Sequence, residues 1–280
     1  MNLGELGYEV TSRNGAPLNA TRIPCIGEPR GVILIVPAMA TAARHYTSLA
    51  KWFAEQGFTV HTFDYQGYGA SARTPLKDVS ADIFTWADDA SAMLEHVATL
   101  EPNLPIHWVG HSLGGQLLPF ADHTLLADAT ILCSGTGYWR LSEGRNRLIA
   151  PALWYAIAPL ATRINGYYPG RKLKILGDLP APVMRQWTRW CKHPNYMLGV
   201  HPELRQKFSA VRIPLTSISF TDDETMSAAA TGQLESWFSE AQVESRRLSP
   251  EGLGVHRITH MGIINKHVAS TWQHVFTNMT

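Results

Sequence analysis

Residues Gly31-Val-Ile-Leu-Ile-Val36 form an unbroken apolar run in which every residue but the glycine and one leucine is β-branched. A strand with one wet face alternates apolar and polar side chains; a strand without alternation has to be covered on both faces, the situation of a parallel sheet flanked by helices. Pro37 ends the run. Tyr46, Leu49, Trp52 and Phe53 then recur at helical spacing across 41–56, Gly57 stops that helix, and 58–64 returns to strand character. This is a βαβ unit, and its rhythm continues. A helix is expected at 80–100, a strand at 106–110, a helix from Leu113 and a strand at 130–134. A strand at 213–220, a helix at 228–238, a strand at 243–248 and a last helix at 262–276 follow. At the start, 10–24 alternates weakly around Asn14-Gly15, a dipeptide that favours a type I′ hairpin turn, so an antiparallel ribbon at a sheet edge is expected. The whole implies a mostly parallel, doubly wound α/β sheet.

Between 138 and 207 the rhythm breaks. This stretch is rich in Pro, Trp and Tyr and shows no buried-strand pattern, so it reads as a helical insert. The expected organisation is a core built from 1–137 and 208–280 and an insert at 138–207. A chain of 280 residues fits one large α/β domain with such an insert.

Charge narrows the partners. The net charge of +1 lacks the basic excess of a nucleic-acid binder. That total hides an asymmetry, because 138–207 carries +9 and the remainder −8. The basic insert could steer an anionic substrate, lean on an anionic membrane surface, or face the acidic core as a counter-charge. Residues 1–10 hold Glu5 and Glu9 without Lys or Arg, so no export signal is expected. The apolar stretches 31–43 and 148–162 are shorter than the roughly 18 residues of a membrane span, and no stable membrane insertion is expected. Cys25, Cys133 and Cys191 are odd in number and far apart, which fits neither a disulfide framework nor a C-x-x-C site, so a cytoplasmic location is expected.

The chemistry concentrates behind the strand at 106–110. Gly110-His111-Ser112-Leu113-Gly114 is a G-x-S-x-G pentapeptide, extended by Gly115, that leaves a strand and opens a helix. Ser112 there has to occupy a strained strand-to-helix turn, and side chains at Gly110 and Gly114 would collide across so tight a bend. An acid for a Ser-acid-His order has to lie at a later strand end. The strand at 130–134 has no Asp or Glu before Glu143; the strand at 213–220 is followed by Asp222-Asp223, of which Asp223 is preferred, its neighbour being read as a solvated loop acid or a helix cap. The base has to come from His256, His260, His267 or His274. His260 is preferred because it sits just before the last helical pattern, in a loop able to reach Ser112 and Asp223 together. The eight histidines before Asp223 show no metal spacing and read as surface or packing residues.

On these residues the chain resembles the α/β-hydrolase fold family of serine hydrolases. Gly110-His-Ser-Leu-Gly-Gly115 is similar to its nucleophile elbow, and Phe63-Asp64-Tyr-Gln-Gly-Tyr-Gly-Ala-Ser71 is similar to its D-x-R-G-x-G-x-S turn, with Gln66 in place of Arg. The resemblance implies oxyanion-hole N–H groups at Met39 and Leu113, although Pro37-Ala38 replaces the usual His-Gly. It also implies that 138–207 is a cap over the active site. Half of the chain's Trp and Tyr lie in that insert, which suits an apolar acyl group; Trp154, Trp187 and Trp190 are the expected substrate contacts, and 148–164 the expected cavity lining. The implied function is serine ester hydrolysis of the esterase or lipase type on a small-molecule ester, through an acyl-enzyme on Ser112, with neither metal nor organic cofactor. An acyl thioesterase, a carbon–carbon bond hydrolase and a non-catalytic ligand receptor on the same scaffold are the alternatives. The sequence leaves the oligomeric state open.

Overall fold

The computed structural model describes residues 4–279. The first three residues of the stretch expected to lack an export signal lie outside the described residues. Five parallel and two antiparallel strand pairings build an eight-stranded sheet. Its core strands are β1 (Leu6–Thr11), β2 (Pro17–Ile23), β3 (Gly31–Val36), β4 (Phe58–Phe63), β5 (Ile106–His111) and β6 (Asp128–Leu132). A separate two-stranded ribbon, β7 (Tyr167–Tyr168) with β8 (Leu179–Pro180), precedes β9 (Leu215–Phe220) and β10 (Val243–Leu248). The spatial order is β1-β2-β4-β3-β5-β6-β9-β10, antiparallel at β1-β2-β4 and parallel thereafter.

β3 lies between β4 and β5 and is parallel to both. Its side chains divide between two cores. Val32, Leu34 and Val36 enter the layer that holds Trp86, Met93 and Trp108, while Ile33 and Ile35 meet Leu49, Phe53 and Trp272 on the opposite face. A polar residue anywhere in the run would be buried without water, which is why the run has none. The helices that cover the sheet include α1 (Thr47–Glu55) and α2 (Ile83–Leu100). Asp82 caps α2 by accepting from Thr85 N–H, and the Thr85 hydroxyl side of the same capping box reaches back to the Asp82 N–H.

Two local expectations change. The β1–β2 connection is a five-residue loop in which Gly15 has φ +85° and Asn14 does not adopt positive φ. A type I′ turn needs positive φ at both central residues, so it does not form. The expected helix at 262–276 is instead a series of short turns: Thr259–Gly262, a 3₁₀ stretch Lys266–Thr271, and Trp272–Val275. The indole N–H of buried Trp272 donates to the Ile263 carbonyl at 2.6 Å, so the segment folds around that ring instead of running straight.

Behind β4, the turn 64–71 is tied by side chains. Asp64 accepts the Ala43 and Ala70 N–H groups at 2.7 and 2.8 Å, and the Ser71 hydroxyl donates to the Asp64 carbonyl. Gln66 finds its own partner: its backbone N–H and side-chain amide both donate to the carboxylate of buried Asp89 in α2, at 2.9 Å each. Burial pushes the Asp89 carboxyl up to about 7, against the pull of those two hydrogen bonds.

The chain between β6 and β9 is mainly helical. It contains α4 (Gly144–Ala152), a π-helical turn Leu153–Ile157, and α5 (Ala158–Asn165), which together make one almost continuous rod ended by left-handed Gly166. Pro151 and Pro159 lie within the rod and cannot donate to the helix ladder; the wider π turn between them absorbs the mismatch. Three further helices close the segment: α6 (Gly170–Leu173), α7 (Ala181–Cys191) and α8 (Tyr196–Val200), followed by α9 (Arg205–Ser209).

Asp89 yields a test with a defined sign. Its folded pKa of about 7 lies above the ordinary carboxylate value, so the protonated acid favours the fold and this contribution is lost as pH rises through about 7. Asp89→Asn removes the ionisation. The variant should gain stability over the parent at pH 8, on the order of 1 kcal/mol, with the gain shrinking below pH 6; paired urea melts at the two pH values measure it.

Candidate active site

Ser112 follows β5 directly and has φ 53° and ψ −110°, a conformation that costs an L-residue on the order of 1–3 kcal/mol. The surroundings impose it. Ser112 N–H donates to the Leu132 carbonyl at 2.8 Å on one side, and α3 (Leu113–Gln116) starts on the other. A Cβ on Gly110 would stand 2.5 Å from the Gly114 carbonyl carbon, and one on Gly114 would overlap the Val36 carbonyl at the end of β3. The turn can therefore press against the central strand only with glycine at both places.

Asp223 and His260 are brought to this serine from the far end of the sequence. The Ser112 hydroxyl donates to His260 Nε2 at 3.0 Å, and His260 Nδ1–H donates to Asp223 Oδ2 at 2.7 Å. Asp223 sits just past β9 and is 1% exposed. Burial alone would push its carboxyl up; the His260 hydrogen bond and charge, with the Met226 and Thr225 N–H groups on its other oxygen, outweigh burial and hold it below the ordinary value. It is an anion aimed at an imidazole. His256, His267 and His274 do not share this contact. Asp222 is not the solvated loop acid expected of it: its Oδ2 accepts the Ile258 and Thr259 N–H groups at 2.8 and 3.0 Å, clamping the residues that lead into His260.

Met39 and Ser112 line one cavity of 840 Å³, and Leu113, buried, follows Ser112. The neighbouring Ala38 N–H donates to Tyr46 Oη and the Thr41 N–H to the Ala38 carbonyl, whereas no hydrogen bond among the described residues uses the N–H of Met39 or Leu113. Both donors are free. The cavity wall is largely apolar, with Met39, Leu176, Trp187, Met226 and Ile264 beside Ser112 and His260. Of the three expected tryptophan contacts, only Trp187 reaches it. Trp154 stacks edge-on against Trp187 at 4.9 Å from outside, and Trp190 is fully buried against Phe84, Tyr196 and His201. The rod 148–164 does not line the cavity either; Leu148 is 81% exposed and Ile164 71%.

A family model described as serine aminopeptidase, S33, matches residues 27–163. A monoacylglycerol lipase of Mycolicibacterium smegmatis is 31% identical over 93 residues, which are 32% of this chain and 32% of that protein, so the match spans about a third of the curated relative's length. Among solved structures, the chain is similar to a thermostable carboxyl esterase from Bacillus coagulans, with a TM-score of 0.61 and 17% identity over 89% of this chain and 91% of that one. It is similar also to an esterase from Exiguobacterium antarcticum, with a TM-score of 0.61 and 12% identity over 98% and 99%. The chain has the α/β-hydrolase fold.

In this fold the residue between Gly110 and Ser112 has a task that its sequence neighbourhood does not reveal. His111 is fully buried, and burial, with nearby His260, drives its pKa down to about 3, so the ring is neutral. Its Nε2 lies 2.9 Å from the His260 carbonyl, which can only accept, so Nε2 carries the hydrogen and Nδ1 accepts the Tyr46 hydroxyl at 2.8 Å. Tyr46 Oη in turn accepts the Ala38 N–H at 2.8 Å. One chain of hydrogen bonds thus joins the loop after β3, the serine turn and the histidine loop, and each member has a single workable proton arrangement. A second neighbour is Cys133, whose thiol lies with Asp223 and His260 inside a 4.8 Å group of possible metal ligands. The carboxylate and imidazole already bond each other, and burial pushes the thiol well up, so these donors do not fit a metal ion.

The relay can be tested without a natural substrate. His111→Phe leaves the Tyr46 O–H without its acceptor and the His260 carbonyl without the His111 donor, and Tyr46→Phe leaves the Ala38 N–H without its acceptor; each should cost about 1–3 kcal/mol in urea melts. Both variants should remain folded while a fluorophosphonate labels Ser112 on the order of 10-fold more slowly, as timed by intact-protein mass. Unchanged labelling would show that the relay does not position His260.

Proposed function

We propose that the chain is a serine hydrolase that cleaves small carboxylic esters of apolar acyl groups. The observation that carries this reading is the continuous Asp223–His260–Ser112 hydrogen-bond chain opening into an apolar cavity. His260 Nε2 takes the Ser112 proton as Oγ attacks the ester carbonyl carbon, and the carbonyl oxygen, now an anion, accepts the Met39 and Leu113 N–H groups. The resulting imidazolium is stabilised by Asp223 and hands its proton to the departing alcohol oxygen as that C–O bond breaks. Water then attacks the acyl-Ser112 ester with His260 again as base, releasing the acid and restoring the serine. The segment 138–207 acts as a cap, contributing Leu176, Gly177 and Trp187 to the acyl side of the cavity. Monoacylglycerol lipase and esterase relatives support the ester class over other reactions of this fold.

No described helix is long and apolar enough to cross a membrane, and all three cysteines are unpaired. Free thiols, two of them buried, suit a reducing compartment, and we place the enzyme in the cytoplasm.

Turnover of p-nitrophenyl esters of increasing chain length tests the reading. Ser112→Ala and His260→Ala should each lower kcat on the order of 10⁴-fold with little change in KM. Asp223→Asn should be nearly as damaging. Asp222→Asn should fall between it and the parent, because it weakens the clamp on 258–259 and leaves the carboxylate facing His260. Equal losses at Asp222 and Asp223, or full activity without Ser112, would overturn the assignment.

A further inference from the structure

The outer face of the rod 144–165 is inverted relative to an ordinary surface helix. Its buried side is ordinary, with Ala150, Leu153, Trp154, Ala158 and Thr162 packed inward. Its solvent side carries Leu148, Tyr155, Leu160 and Ile164, which are 81, 59, 59 and 71% exposed. They follow one another at steps of seven, five and four residues, and the five-residue step, which begins in the π turn, spreads them over the broad outer face of the rod. Such a set of large apolar side chains in water on one side of a rod marks a surface that is covered in use.

Cations border this face. Arg145, Arg147 and Arg163 lie on the rod itself and are exposed, with Glu143 as the acid at its start. Across a groove of 200 Å³, α7 contributes Arg185, Arg189 and Lys192 opposite Ala158, Pro159 and Thr162. Lys192 Nζ stands 5.4 Å from the centre of the Tyr155 ring, which fixes the cationic row next to the apolar one. None of these six cations takes part in an ion pair among the described residues. The Thr162 hydroxyl, at the base of the groove, is buried without a hydrogen-bond partner.

We propose that this face docks on an anionic lipid bilayer, with Leu148, Tyr155, Leu160 and Ile164 entering the acyl boundary and the six cations meeting headgroup phosphates. Charge decides between occupants. A second copy meeting this chain face to face would set one +9 segment against another, and a neutral apolar partner would leave the cations unanswered. An anionic bilayer satisfies both rows at once, since apolar burial and attraction to acidic lipid add for interfacial helices, each Lys or Arg near the surface contributing about 1 kcal/mol. Docking of this kind is peripheral, in keeping with the absence of a spanning helix among the described residues. It does not depend on the ester-hydrolase reading, because the face lies outside the cavity that holds Ser112.

Cosedimentation of the whole chain with vesicles tests it. Binding to phosphatidylcholine vesicles containing phosphatidylglycerol should exceed binding to pure phosphatidylcholine at least about 10-fold, and should weaken as salt rises from about 0.05 to about 0.5 M. The triple variant Leu148→Ser, Leu160→Ser, Ile164→Ser should lose about 10-fold or more of that binding. A second variant, Arg145→Gln, Arg163→Gln, Arg189→Gln, should lose the preference for the anionic lipid. Both should hydrolyse a short soluble ester at the parental rate, which shows that the fold is intact. Equal binding to the two vesicle types, no binding, or binding that persists in the triple variant would overturn the proposal. So would light scattering that finds a dimer abolished by that variant.

Discussion

The close approach of the serine turn to β3 is the constraint on which the site depends. Gly114 packs against the Val36 carbonyl with no room for a side chain, and Gly110 faces Gly114 in the same way. That contact drives Ser112 into its strained conformation, lifts its hydroxyl above the sheet and directs the start of α3 towards it. The strain is affordable because both neighbours are rigid. β3 and β5 are paired along their length and covered on both faces, so the turn has nowhere to relax.

The same crowding sets the positions of partners that the chain supplies much later. His260 arrives in a turn of four residues, too short to hold an imidazole in place by itself. It is held from three sides instead: Asp223 on Nδ1, Asp222 on the amides of 258 and 259, and His111 on its own carbonyl. His111 in turn leans on Tyr46 and Ala38, so the loop that carries Met39 is tied to the loop that carries His260. Under the proposed mechanism that tie is the kind of preorganisation an oxyanion site requires.

Much of this was readable from residues close together in sequence. The unbroken β3 run announced a sheet buried on both faces, and the glycine spacing around Ser112 announced the turn. Asp223 and His260 followed from chain order and from their places at a strand end and in a loop. What could not be read were contacts that leave no periodic trace. Tyr46 and His111 are 65 positions apart, and nothing near either marks it as a partner. Asp222 looked like a spare acid because its ligands are backbone amides, which every residue has. Trp154 and Trp190 share the composition of a binding wall, yet aromatic rings that glue an insert to its core have the same composition; only packing separates Trp187 from them. The outward turn of Leu148 and Ile164 was hidden for a related reason, since apolar residues in a helical segment do not show which of them face outwards.

Under the proposed mechanism Ser112, and no other group, carries the acyl chain during turnover. Rapid acid quenching of the enzyme with a p-nitrophenyl ester, followed by peptide mass spectrometry, tests it most directly. The expected product is a peptide containing Ser112 heavier by the mass of the acyl group less one hydrogen, formed in step with the first turnover and lost on further incubation. Turnover with no acylated Ser112, or with the acyl group on another residue, would contradict it.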